Sequence, residues 1–217
     1  MTALSFEVTG VRPEPHAASP HLLFRLRVQE TSGQVVHAIA LRCQVRIEPQ
    51  RRRYDPAEQQ SLTDLFGTPD RYGATLKPFL WTHATAMVQG FEGAREFDLP
   101  VACTYDFDVS ATKYLHGLRG GDIPLVLLFS GTMFTRGQTG FAVEQLSWSL
   151  EAPCRLPAST WRQLMDLYYP GAGWIRLERE TIDALARYRS DRGLTSWEQA
   201  LGELLPADVL PAEVRAS

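Results

Sequence analysis

Asparagine is absent from these 217 residues and lysine nearly so, with Lys77 and Lys113 standing against 20 arginines. That skew matches the codon preference of a GC-rich genome, so arginine number alone argues for no function. Cys43, Cys103 and Cys154 are odd in number, widely spaced and without a C-x-x-C pair. This excludes a disulfide framework or zinc ribbon and fits reduced thiols of a cytoplasmic protein. Long apolar runs are also missing. The longest, Leu125 to Phe129, is far short of the roughly 20 residues that span a bilayer. Met1 to Glu7 has no basic region leading into an apolar one, so neither export nor membrane insertion is expected. A formal net charge of -3 excludes a general polyanion binder, which needs a basic domain.

Catalytic signatures are missing too. There is no G-x-S-x-G elbow, Walker loop, G-x-G-x-x-G or H-E-x-x-H, and Ser130-Gly131 lacks the preceding glycine of an elbow. His37 and Cys43, six residues apart on one strand, would stand about 20 Å apart and cannot share an ion. Asp98, Asp106 and Asp108 alternate as the wet face of a strand and not as a calcium cage. No catalytic residue, cofactor or metal ligand is assigned.

What is present is alternation. His37, Ile39, Leu41, Cys43, Val45 and Ile47 alternate with Ala38, Ala40, Arg42, Gln44, Arg46 and Glu48, the period-two pattern of a half-buried strand. Its length suits a central strand that pairs with more than one neighbour. Leu4 to Thr9, Leu22 to Gln29, Phe79 to Val88, Glu96 to Asp108 and Ile123 to Phe134 are further strands. Pro100 marks an edge or a bulge. Thr31 to Gln34 reads as a turn that would make strands two and three a hairpin, putting Arg25, Arg27, Arg42 and Arg46 on one face. Arg136 to Gly140 reads as another hairpin turn. The change of parity between Val143 and Leu146 predicts a bulge near Glu144.

Helical signals interrupt and then replace the strands. Asp55-Pro56 reads as an N-cap followed by proline at the first helical position, opening a helical insert near 55–77. Ser110 opens a brief helix. After a soft boundary near Pro153, Trp161, Leu164, Met165 and Tyr168 mark an amphipathic helix capped by Ser159 or Thr160. Thr181 to Arg192 and Thr195 to Leu205 are two more, the last with a capping box between Thr195 and Glu198. The expected architecture is mainly β (α+β): an antiparallel, Ig-like β-sandwich of about seven strands over 1–153, a helical appendage over 154–206 and a tail over 207–217.

Charge is unevenly spread. Seven arginines lie between Arg25 and Arg53 against Glu30 and Glu48, in a chain that is acidic elsewhere. Arg42, Arg46, Arg51, Arg52, Arg53 and Tyr54 are therefore the candidate partner-binding residues, although Asp55, Glu58 and Asp64 stand close enough to neutralise some of them. The reading that follows is a non-enzymatic protein-interaction module. The alternatives are an enzyme or small-ligand binder with a sandwich-mouth pocket near His83, Cys103 or Asp106, and ribbon-helix-helix-like DNA binding by residues 174–205. The last is disfavoured because five arginines there face six acidic residues.

Five segments, Val11–His16, Ala40–Tyr54, Phe79–His83, Asp122–Leu125 and Phe129–Thr132, resemble a bacterial domain-of-unknown-function family encoded beside genes of high-affinity nickel-iron hydrogenases. The resemblance covers nearly the whole chain, and the central block is its most specific part. It implies a cytoplasmic accessory role, with a hydrogenase subunit or maturation factor as partner, and no catalytic residues to carry over.

Overall fold

The computed structural model describes residues 4–137 and 140–206. Two antiparallel sheets face each other. One has the order β1 (Leu4–Glu14), β2 (His21–Glu30), β5 (Ala94–Ala102). The other has the order β4 (Phe79–Phe91), β3 (Val36–Ile47), β6 (Asp122–Gly137), β7 (Gly140–Gln145), with β8 (Glu151–Pro157) also paired to β6. The expected α+β sandwich is present, with eight strands among the described residues. β3 is central, bonded to β4 on one side and β6 on the other. Ile39, Leu41, Cys43, Val45 and Ile47 fill the interior opposite Leu22, Phe24, Leu26 and Val28 of β2. Alternation in both strands buries one face of each, as two packed sheets require.

β2 and β3 do not form a hairpin. Each has its interior face turned to the other, so the chain between them passes from one sheet to the other. The consequence is that Arg25 and Arg27 lie on the opposite outer face from Arg42 and Arg46. Glu30, itself buried, organises this crossing. Its carboxylate accepts bonds from the Ser32 hydroxyl and the backbone N–H groups of Ser32 (2.8 Å), Gly33 (2.9 Å) and Gln34 (3.0 Å), while its own N–H donates to the Gly93 carbonyl at 2.7 Å. Burial pushes the Glu30 carboxyl up, but these donors outweigh it and hold the group below the ordinary glutamate value.

Several boundaries differ from expectation. His37 is exposed and does not share the Cys43 face, because a register shift between Val36 and Ala38 turns Val36 inward instead. No bulge occurs near Glu144. β7 stays in register to Gln145, and Val143 and Leu146 differ in parity because the first faces out and the second faces the core. Pro153 lies inside β8, and the first compact unit reaches Trp174. β5 ends at Ala102, where its partner β2 begins, so Tyr105 and Phe107 leave the sheet. Pro100 does sit on an edge strand, since among the described residues β5 pairs only with β2. Gln138 and Thr139 of the Arg136–Gly140 turn and the 207–217 tail lie outside the described residues.

The insert comprises α1 (Pro56–Ser61), α2 (Thr63–Phe66) and α3 (Tyr72–Thr75). Asp55 caps α1 with a reciprocal Glu58 box. α4 (Ser110–His116) follows β5, with Ser110 inside the helix and not its cap. α5 (Ala158–Tyr168) opens after Pro157, ahead of the expected Ser159 or Thr160 cap, and buries Trp161, Leu164 and Met165. The second unit, from Ile175, contains α6 (Arg179–Asp191) and α7 (Trp197–Leu204). Its capping pair is Ser196 with Gln199, one residue beyond the expected Thr195–Glu198 box. The Arg192–Glu203 pair (3.0 Å) and the Arg189 guanidinium over the Trp197 ring (4.1 Å) join the two helices.

Candidate interaction face

The two outer faces of the sandwich handle charge differently. On the β1–β2–β5 sheet, Arg25 pairs with Glu96 and Asp98, both at 3.2 Å, and Arg12 reaches Asp98 at 3.2 Å. Glu7, Arg27 and Glu96 stand opposite one another across the three strands. Opposite charges in directly facing positions satisfy each other, which leaves this face with little demand for a partner.

The outer face of the second sheet carries Ala38, Ala40, Arg42, Gln44 and Arg46 from β3. Opposite them on β4 lie Gln89, Met87, Thr85, His83 and Leu80. Met87 is 67% exposed and Leu80 47%. Phe134 and Val143 continue the face onto β6 and β7, with Val143 61% exposed. This lane is apolar at its β7 end and cationic at its centre. Arg42 is exposed and, among the described residues, has no ion pair.

The other candidate arginines divide into two groups. Arg46 and Arg51 share the buried Glu48 carboxylate at 3.3 and 3.6 Å, and Gln50 adds a 2.6 Å bond to it. Arg52 is an internal strut. Its side chain is only 10% exposed and grips both oxygens of the buried Glu58 at 2.8 and 2.9 Å. It also donates to the carbonyls of Gly120 (3.3 Å) and Asp122 (3.4 Å). Tyr54 donates to the Pro49 carbonyl at 2.7 Å and stands 2.9 Å from the Tyr114 hydroxyl. Burial pushes the Tyr54 phenol far up and that of Tyr114 to about 12. Arg53 is exposed at the same exit. The structure therefore brings Arg42 and Arg46 onto one face and draws Arg52 and Tyr54 into the fold. Of the three acidic residues expected to neutralise these arginines, only Glu58 takes one, whereas Asp55 caps α1 and Asp64 makes no ion pair among the described residues.

His83, Cys103 and Asp106 do not converge. His83 is on the outer face of β4, and Cys103 is buried just past β5, its N–H bonded to Pro20 and its thiol pushed to about 12 by burial. Asp106 forms an isolated bridge to Trp174. A cavity of about 480 Å³ lies elsewhere, bounded by Tyr105, His116, Arg119, Trp161, Arg162 and Asp166. Its residues are scattered over 62 positions, from Tyr105 to Asp166, and carry no motif. Burial lowers the His116 pKa, and the Trp161 indole N–H is buried without a hydrogen-bond partner. Among the described residues no group of three or more His, Cys, Asp or Glu is placed to hold a metal, and no helix is long and apolar enough to cross a membrane. Helices α6 and α7 form as expected, but residues 175–178 carry no strand and Trp174 makes only its single bridge.

A family described as a family of unknown function (DUF6084) matches residues 1–211. No curated protein matches the chain. Two solved structures of a β-glucosidase from Kluyveromyces marxianus are similar. The selenomethionine-labelled form shows 7% identity over 71% of this chain and a TM-score of 0.24, and the complex with glucose shows 8% identity over 71% and a TM-score of 0.22. The chain spans 15% of the length of those structures.

Proposed function

The chain belongs to the family of unknown function DUF6084, and we propose that it works as a non-enzymatic accessory protein, binding another protein through the outer face of the β4–β3–β6–β7 sheet. The observation that supports this reading is the contrast between the faces. One sheet neutralises its own charges, whereas the other leaves Arg42 unpaired beside exposed Met87, Leu80 and Val143. A cationic centre flanked by apolar side chains suits a protein partner with an acidic, partly apolar surface. The partner proposed is a cytoplasmic nickel-iron hydrogenase subunit or maturation factor, as the family resemblance implies. The test is affinity purification of the tagged chain from its native host, together with hydrogenase assays after deletion of its gene. Co-purification of a hydrogenase chain and loss of activity are expected, and unchanged activity would contradict the hydrogenase assignment.

A second reading rests on the Tyr105–Trp161 cavity. The Arg119, Arg162 and His116 side chains beside the Tyr105 and Trp161 rings suit a small anion with a flat apolar body. Benzoate should then raise the thermal midpoint of the wild type and not that of Arg119→Gln/Arg162→Gln. An unchanged wild-type midpoint would dismiss this reading.

A further inference from the structure

Every sheet edge exposes unpaired backbone donors and acceptors, and proteins guard such edges with charge, proline, bulges or short length. Among the described residues, four of the five outer strands carry charge or proline along their length. β1 has a bulge at Thr9 together with Arg12 and Pro13. β5 carries Arg95, Glu96, Asp98 and Pro100. β7 is six residues long and includes Glu144, and β8 carries Glu151, Pro153, Arg155 and Pro157. β4 runs for 13 residues from Phe79 to Phe91 with no Asp, Glu, Lys, Arg or Pro. Among the described residues it pairs only with β3.

Its two ends are closed and its middle is open. A register shift places Trp81 as an extra residue near the start. At the far end Arg95 donates to the Gly90 carbonyl at 2.9 Å and to the Gln89 side chain at 2.8 Å. Between them Thr82 to Val88 offers seven residues of unguarded edge. Of the four residues that face the sandwich interior here, Ala84 and Val88 are buried but Thr82 and Ala86 are only half-buried, which leaves the lip of the core open at those two positions.

We infer that the β4 edge accepts an extended segment of the partner protein as an added strand, with acidic side chains outward and β-branched or apolar side chains toward the open lip. This rests on the interaction reading above and specifies how that face is engaged. The outward acidic preference follows from charge complementarity. Arg42 stands opposite Thr85, and the exposed lane of β3 and β4 from Ala38 to Gln44 and from His83 to Gln89 holds no acidic residue. An added strand would lie about 10 Å from β3, two strand spacings, within the joint reach of an arginine and a glutamate. Main-chain bonds along the edge supply affinity, and alternate side chains supply selectivity.

The test uses the full-length chain, labelled with nitrogen-15, and a capped octapeptide of alternating valine and glutamate, with lysine replacing glutamate in a control. Saturable one-to-one binding, amide-exchange protection confined to Thr82–Val88, about tenfold weaker binding by Arg42→Glu and no binding of the lysine peptide are expected. Binding that is sensitive to Arg42→Glu but protects no β4 amide would overturn the added strand and leave the outer-face reading standing. Absence of binding at millimolar peptide would overturn the acidic-strand inference alone, because the outer-face reading is tested separately with the native partner. Protection of β4 in the peptide-free chain with a doubled solution mass would make a second copy the occupant and overturn the inference in that way.

Discussion

Arg52→Ala should be among the most destabilising changes available at the surface end of the central strand, although sequence alone makes Arg52 look like one of three solvated arginines. The Glu58 carboxylate is 4% exposed at its side chain and receives two bonds from Arg52, one from the Arg119 N–H at 2.8 Å and one from the Asp55 N–H at 3.4 Å. Removing the guanidinium leaves a buried charge held by backbone N–H groups alone, which costs about 3–5 kcal/mol. It also unties the helical insert from the Gly120 and Asp122 carbonyls. For a chain of this size each kcal/mol lowers the midpoint by about 2–4 °C, so the loss should be about 6–20 °C. Urea and thermal unfolding followed by far-UV circular dichroism measure it, with Arg53→Ala as the control, expected within about 0.5 kcal/mol of wild type. The double variant Arg52→Met/Glu58→Leu should recover part of the loss, offset by about 1–3 kcal/mol for the unpaired Arg119 N–H. An Arg52→Ala loss below about 1 kcal/mol, indistinguishable from Arg53→Ala, would refute the strut.

Gly131→Ala should lose about 3 kcal/mol or fail to fold, because a Cβ there would collide with the Ala40 carbonyl oxygen at φ +141°; expression and denaturant titration decide it. Glu30 is held below its ordinary pKa, so its contribution is present above the unfolded value of about 4.3 and is lost as pH falls through the lower folded value. A Glu30→Gln variant should be less stable at neutral pH and lack that acid-side decline, and a parallel acid decline in both proteins would count against the assignment. The thiols of Cys43 and Cys103, pushed to about 12 by burial, and of Cys154, pushed to about 11, should resist a disulfide reagent at pH 8 in the native state and react on unfolding. Rapid native labelling of Cys43 would contradict its burial.

The central strand was legible because alternation reports burial directly, and Ile39 through Ile47 are buried as the pattern requires. The Asp55 cap and Pro100 at an edge were legible for the same kind of reason: each has one dominant local physical cause. Pairing between strands was not. Two half-buried strands joined by a short polar segment read alike whether they pair or face each other across a core, and here the Glu30-centred turn chooses the crossing. The division of labour among Arg42, Arg46 and Arg52 depends on where Glu48 and Glu58 end up, which neighbouring sequence only hints at. The unguarded edge of β4 had a visible signal, a 13-residue stretch without charge or proline, but it becomes an edge only once the sheet order is known. The Tyr105–Trp161 cavity gathers residues from three separated segments and left no local trace.

The most direct test of the interaction face is a pair of charge reversals on opposite sides of the sandwich, Arg42→Glu and Arg25→Glu, each tagged in the native host. Recovery of the co-purifying chain would be quantified against wild type, with folding of both variants checked by circular dichroism. Loss of the partner with Arg42→Glu and its retention with Arg25→Glu is the predicted result. Retention with Arg42→Glu, or loss only with Arg25→Glu, would contradict it.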